Sequence, residues 1–203
     1  VPYGKKKLLA DESTLLRLKV TEVCDSERMS QSVLAIERYK RLLGDDMPVI
    51  GWVEGCLAEA ADLRGVNELL IDLVDDEDFV RDLMDLCLEQ AIVFAKAQIA
   101  AGADIIGVGD AIASVAGPVY YRKFALPYEI KLLSAIRSMG AKTKLHICGN
   151  TTPFLEYLPV EVCDIIDLDW MVPLDRAAEI VQGRCALGGN YDPVAVLLQG
   201  TPE

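Results

Sequence analysis

Lys142-Thr143-Lys144-Leu145-His146-Ile147-Cys148-Gly149-Asn150 reads as a short strand, Lys142 to Ile147, that hands over to a cysteine, a glycine and a polar loop. Side chains on a strand alternate, so His146 and Cys148 face the same side, roughly 6–7 Å apart along the backbone. His146 is the single histidine of the chain. Imidazole and thiolate at that spacing suit two ligands closing on one zinc ion, which takes nitrogen and sulfur at about 2.0–2.3 Å. The same residues also fit a buried strand histidine beside an unrelated free thiol, because H-x-C is only half a site.

Working outward, four more segments repeat this design of a short apolar strand ending in polar residues, then a loop, then a helix. Met47 to Val53 ends at Glu54-Gly55, and Ala103 to Gly109 ends at Asp110. Asp164 to Leu168 ends at Asp169-Trp170, and Cys185 to Gly189 ends at Asn190-Tyr191-Asp192-Pro193. Between them the apolar spacing predicts helices over Met29 to Leu43, in part over Ala58 to Val74 with a break near Gly65, and over Phe79 to Ala101 after a cap at Asp75 or Asp76. A further helical region runs from Pro118 to Met139-Gly140, kinked or split at Pro127, and a shorter helix covers Leu174 to Val181.

Strands alternating with helices of this length mean a parallel sheet with crossover helices. An open doubly wound sheet and a (β/α)8 TIM barrel both satisfy that. The barrel is favoured because all five strands put polar groups at their C-terminal ends, which converge on one mouth in a barrel, whereas an open sheet shares a site only at its switch point. Five units in about 160 residues match barrel pacing of roughly 30 residues per unit. The chain therefore reads as a partial barrel, 1–203, with about five βα units. Both ends look cut: Val1 is not a methionine, and Thr201-Pro202-Glu203 reads as the first turn of another helix.

The formal net charge is -12, from 32 acidic and 20 basic residues. That balance argues against a nucleic-acid partner, which needs a basic patch. A hydrophobic share of 52% excludes a disordered chain. No apolar run reaches the roughly 20 residues that span a bilayer, and no signal peptide is visible, so no membrane partner is expected. The six cysteines lack paired spacing and read as reduced thiols in a cytoplasmic protein, with Cys87, Cys163 and Cys185 as small core residues. No glycine-rich phosphate loop occurs; Gly107-Val108-Gly109 falls inside a strand and precedes an acid.

Several stretches carry a resemblance. Glu54-Gly55-Cys56-Leu57-Ala58-Glu59-Ala60-Ala61-Asp62-Leu63-Arg64-Gly65 looks like the loop and helix after an early barrel strand, and Gly109-Asp110-Ala111-Ile112-Ala113-Ser114 like a G-D-x-x-x-S turn. Tyr121 to Tyr128 fits Y-x-x-F-x-x-P-Y, and Leu145-His146-Ile147-Cys148-Gly149-Asn150-Thr151 is followed by Gly188-Gly189-Asn190-Tyr191-Asp192-Pro193. In this order, over about Met29 to Glu203, the chain resembles the uroporphyrinogen decarboxylase superfamily. Its H-x-C-G-N-T stretch resembles the zinc-dependent, corrinoid-linked branch typified by methylcobamide:coenzyme M methyltransferase.

The resemblance implies zinc (Zn2+) held by His146, Cys148 and a second cysteine that has no counterpart here; Cys163 and Cys185 sit at the wrong strand ends. It also implies a methylcobamide carried by a partner corrinoid protein, and a small thiol such as coenzyme M or another small methyl donor or acceptor. Glu54, Asp110, Asp169 and Asn190 are the candidate catalytic residues of the rim. One of Glu54, Asp110 or Asp169 could complete the metal set, and each also fits a solvated strand end or a partner of loop amides. Bound to zinc, a thiol is deprotonated yet nucleophilic enough to accept a methyl group. In other branch members zinc acts as a Lewis acid on a methyl donor. The alternative implied by the superfamily is uroporphyrinogen decarboxylase itself, which works without metal or cofactor; Asp62 stands where decarboxylases carry a tyrosine, and acidic strand ends suit a polyanionic substrate badly.

Overall fold

A computed structural model describes residues 7–201. The helix read into 201–203 therefore falls almost entirely outside the described residues, as does the start of the chain. Five strands form one sheet: β1 (Ile50–Glu54), β2 (Ile105–Gly109), β3 (Lys142–Ile147), β4 (Ile165–Leu168) and β5 (Ala186–Gly188). All neighbours are parallel and the spatial order is the sequence order, β1-β2-β3-β4-β5. A doubly wound sheet reverses direction at a switch point. This one never does, and it is the winding of a (β/α)8 barrel.

The register lines up two rows of opposite character. Val53, Val108, Leu145 and Ile166 stand side by side and are 3%, 0%, 1% and 3% exposed. They face the helical layer, where burying each contributes roughly 1.5–3 kcal/mol. The adjacent row is Glu54, Gly109, His146, Asp167 and Gly188, on the face turned toward the barrel interior. Slipping β3 by one residue would drive Lys144 and His146 under the helices in place of Leu145, so burial fixes the register that brings His146 to the rim.

The helices are α1 (Glu27–Leu43), α2 (Cys56–Arg64), α3 (Val66–Asp75), α4 (Glu77–Ala100), α5 (Ala113–Tyr120), α6 (Leu126–Ser138) and α7 (Leu174–Val181). Two begin earlier than the apolar spacing suggested, because side-chain caps extend them. Ser26 Oγ accepts the Met29 amide at 3.3 Å, and Asp76 Oδ1 accepts the Phe79 amide at 3.1 Å. The helical region expected to open at Pro118 begins earlier, at Ala113, kinks at Gly117 (φ +76°) just before that proline, and loosens into a wide turn over Tyr121–Ala125, so that Pro127 falls in the first turn of α6. Gly65 (φ +110°) parts α2 from α3. Among the described residues the side of β1 away from β2 is met by a side chain: the Trp52 amide donates to Gln98 Oε1 at 2.9 Å, and Gln98 Nε2 donates to the Trp52 carbonyl at 3.0 Å. Cys56, Cys87 and Cys163 are buried, Cys185 is half-buried, and all six cysteines are free. Among the described residues no helix is long and apolar enough to cross a membrane.

Candidate metal-binding rim

The five strands deliver Glu54, Asp110, His146, Asp169 and Asn190 to one end of the sheet, as the sequence spacing predicts. Their side chains do not converge on one cavity. His146 and Cys148 do meet side chain to side chain, with Nε2 3.1 Å from Sγ. His146 Nδ1 lies 2.9 Å from the Asp167 carbonyl oxygen. A carbonyl only accepts, so Nδ1 carries the proton and Nε2 presents its lone pair to the thiol. Such a hydrogen bond behind the ring orients a metal-ligating imidazole and raises its basicity. The Asp167 carboxylate, 3.8 Å from Nδ1, is shared with Lys144 Nζ at 3.0 Å.

Cys148 is exposed at the rim, and partial desolvation together with the charges of Asp169 and Glu54 holds its thiol above the ordinary range. At neutral pH it is a thiol whose S–H donates to Nε2. A cation replacing that proton would sit between the same two atoms. Tetrahedral zinc holds nitrogen and sulfur ligands about 3.5 Å apart. The pair needs to open by roughly 0.4 Å to take the ion, so the two donors fit it. Among the described residues no group of three His, Cys, Asp or Glu side chains gathers around a metal-sized space.

The expectation that Glu54, Asp110 or Asp169 completes the set is therefore not met, and each has a physical reason. Asp169 spends both oxygens on loop amides, Oδ2 accepting Gly149 N–H at 2.8 Å and Oδ1 accepting Met171 N–H at 3.0 Å. It ties the loop carrying Cys148 to the loop after β4. Asn190 donates from Nδ2 to the carbonyls of Val172 and Asp169, at 2.5 and 3.4 Å. Glu54 lies two strands from His146 and accepts the Trp52 indole N–H at 3.3 Å; burial raises its carboxyl.

Asp110 turns away from the rim. Its amide donates to the His146 carbonyl at 2.9 Å, while its carboxylate slides under the start of α2 and accepts the Ala58 amide at 2.9 Å. The residue at that helix start is Gly55, which has no side chain of its own to cap with. A Cβ there would lie 2.5 Å from the Asp110 carboxyl group, so the glycine is what admits a cap from β2. Asp110 Oδ2 and Glu129 Oε1 are the buried side-chain oxygens left without a partner among the described residues. Glu129 Oε2 accepts the Tyr121 hydroxyl at 2.8 Å, and burial plus the charge of Asp110 raises Glu129 strongly.

A parallel barrel sheet carrying an oriented imidazole and a thiol at its C-terminal rim defines the class: a (β/α)8-type protein with a histidine–cysteine pair at the strand ends. The uroporphyrinogen decarboxylase (URO-D) family profile matches residues 1–203, and the chain belongs to that family. It is 36% identical over 181 residues to the methylcobamide:CoM methyltransferase MtbA of Methanosarcina mazei, covering 88% of this chain and 53% of that protein. It is 31% identical over 168 residues to a uroporphyrinogen decarboxylase of Solibacter usitatus, covering 80% of this chain and 48% of that protein. A solved methyltransferase from Methanosarcina mazei superposes with a TM-score of 0.79 at 28% identity, over 86% of this chain and 52% of that structure. The chain thus spans about half the length of the curated relatives it matches.

Proposed function

We propose that this chain carries the metal-binding rim of a zinc-dependent methyltransferase. It moves a methyl group between a corrinoid (methylcobamide) held by a partner protein and a small thiol such as coenzyme M, or another small methyl donor or acceptor. The observation that carries this reading is the His146 Nε2–Cys148 Sγ pair at 3.1 Å, backed by the Asp167 carbonyl. The names of relatives such as MtbA point the same way.

In this reading His146 and Cys148 hold the ion, and Cys148 gives up its proton when it does so. Asp167 keeps the His146 ring in the tautomer whose Nε2 can ligate. Asp169 fixes the loop at Gly149 so that Cys148 cannot swing off the rim. When bound, zinc supplies either a way to keep a substrate thiol ionised at neutral pH or a Lewis acid for a methyl donor.

The two directions differ in protons. If a thiol binds to the ion, close to one proton leaves near neutral pH. Calorimetry of full-length, zinc-loaded protein in two buffers of different ionisation enthalpy reads that count, with coenzyme M, homocysteine and a methoxyarene as the panel. A proton released on thiol binding, lost in His146→Ala, is the expected result. Turnover of uroporphyrinogen by the metal-free protein would replace this reading with the decarboxylase one.

A further inference from the structure

Two acceptors stand behind the His146 ring, and both belong to Asp167, the residue that pairs with His146 across β3 and β4. Nδ1 donates to the Asp167 carbonyl at 2.9 Å, while the carboxylate Oδ2 lies 3.8 Å away. About 1 Å of travel would bring that carboxylate to hydrogen-bond distance. An ionised acceptor makes a bond roughly twice as strong as a neutral one, so an unrestrained carboxylate would take the ring. Two features restrain it. Lys144, two residues before His146 and on the same face of β3, holds Oδ2 at 3.0 Å. On the other side Oδ1 lies over Gly188 of β5, where a Cβ would come within 2.9 Å of it. The glycine therefore leaves the room into which the carboxylate leans. β3 and β4 each have both strand neighbours within this chain, so none of these contacts sits at an open edge of the sheet.

The Lys144 and Asp167 side chains are 22% and 27% exposed, on a face that a barrel usually fills with branched aliphatics. Desolvating such a pair is costly, and apolar residues of similar volume often serve stability as well or better, so stability alone does not account for it. The choice of acceptor matters to a metal. A carboxylate behind a ligating imidazole raises its basicity and tightens the ion. It also adds negative charge to the site, so the metal pulls less on an incoming sulfur. A carbonyl orients the same ring without that charge.

We propose that Lys144 is a positioning residue: it withholds the Asp167 carboxylate from His146, so that the ring keeps the carbonyl and a metal on Nε2 stays electrophilic toward the substrate sulfur. Its effect on the metal rests on the zinc methyltransferase reading, whereas the restraint itself is a property of the metal-free protein. The test compares native full-length protein with Lys144→Met, Lys144→Gln, Lys144→Arg and the double variant Lys144→Met/Asp167→Asn. All are measured at about pH 8, where an ordinary imidazole is neutral. In metal-free protein, the His146 Nδ1 nitrogen, read by NMR through the ring C–H protons, should move downfield in Lys144→Met and Lys144→Gln as its proton passes to the charged acceptor. It should stay native in Lys144→Arg and return to the native position in the double variant. By chelator competition, Lys144→Met and Lys144→Gln should hold zinc about tenfold more tightly, and Lys144→Arg and the double variant should not. A merely structural lysine would give the opposite sign, weaker zinc with a lower unfolding midpoint. Zinc affinity unchanged or weakened in both Lys144→Met and Lys144→Gln overturns the proposal. So does a ring shift that survives Asp167→Asn, or loss of the fold in both variants. Failure of the methyltransferase reading shows separately: no form then takes up zinc, and the ring shift still judges the carboxylate.

Discussion

Asp110→Asn should change how stability depends on pH. The native side chain is 1% exposed, with Oδ1 bonded to the Ala58 amide at 2.9 Å and Oδ2 unpartnered. Burial, reinforced by the charge of Glu54, outweighs the Ala58 and Leu57 amides and pushes the carboxyl from 3.8 up to about 7. Between those values the folded protein holds a proton that the unfolded chain has released. Stability from this group is therefore fully present below about 4 and is lost as pH rises through about 7. The interval corresponds to roughly 4 kcal/mol, against about 1 kcal/mol for a helix cap, so the proton outweighs the cap. The variant keeps a carbonyl oxygen for Ala58 and cannot ionise. Urea midpoints of the full-length protein should fall from pH 5 to pH 8 in the native protein and by less in the variant, where the raised carboxyl of buried Glu129 still contributes a fall, and the variant becomes the more stable by roughly 2–4 kcal/mol at pH 8. Parallel curves, or a variant weaker at every pH, would refute the reasoning.

Gln98→Leu should destabilise the fold by roughly 2–5 kcal/mol in urea titration, because it strands both the N–H and the C=O of Trp52 at a buried sheet edge. Gly55→Ala should cost about 1–3 kcal/mol by pressing on the Asp110 carboxyl, and pairing it with Asp110→Ala should recover part of that loss. Asp169→Asn replaces one acceptor with a donor facing a loop amide; zinc affinity measured against a chelator should drop about 10–100-fold, with a smaller change in unfolding midpoint.

Much of the architecture was legible because local chemistry and burial agree. β3 and α7 have the bounds that the alternation and the punctuating glycines predict, Lys142–Ile147 and Leu174–Val181. The first strand begins at Ile50 rather than Met47, since Pro48 has no N–H to give a neighbour. At the rim, the His146–Cys148 contact follows from strand periodicity, whereas the fates of Asp110, Asp169 and Asn190 do not. Whether a strand-end carboxylate faces the mouth or a neighbouring loop depends on which backbone amides lack partners nearby. Gly55 was the readable hint for Asp110: a helix start without a capping side chain needs an acceptor from elsewhere. Gln98, and Trp52 lying across β2, left only Gly51, Gly107 and Gly109 as traces, three strand glycines where close approach of a side chain replaces a Cβ.

In the proposed function His146 and Cys148 together hold a zinc ion. Metal analysis of freshly purified, reduced full-length protein should find about one zinc per chain, and both Cys148→Ser and His146→Ala should lose it while remaining folded by circular dichroism. A native protein without zinc, or variants that retain a full equivalent, would contradict the account.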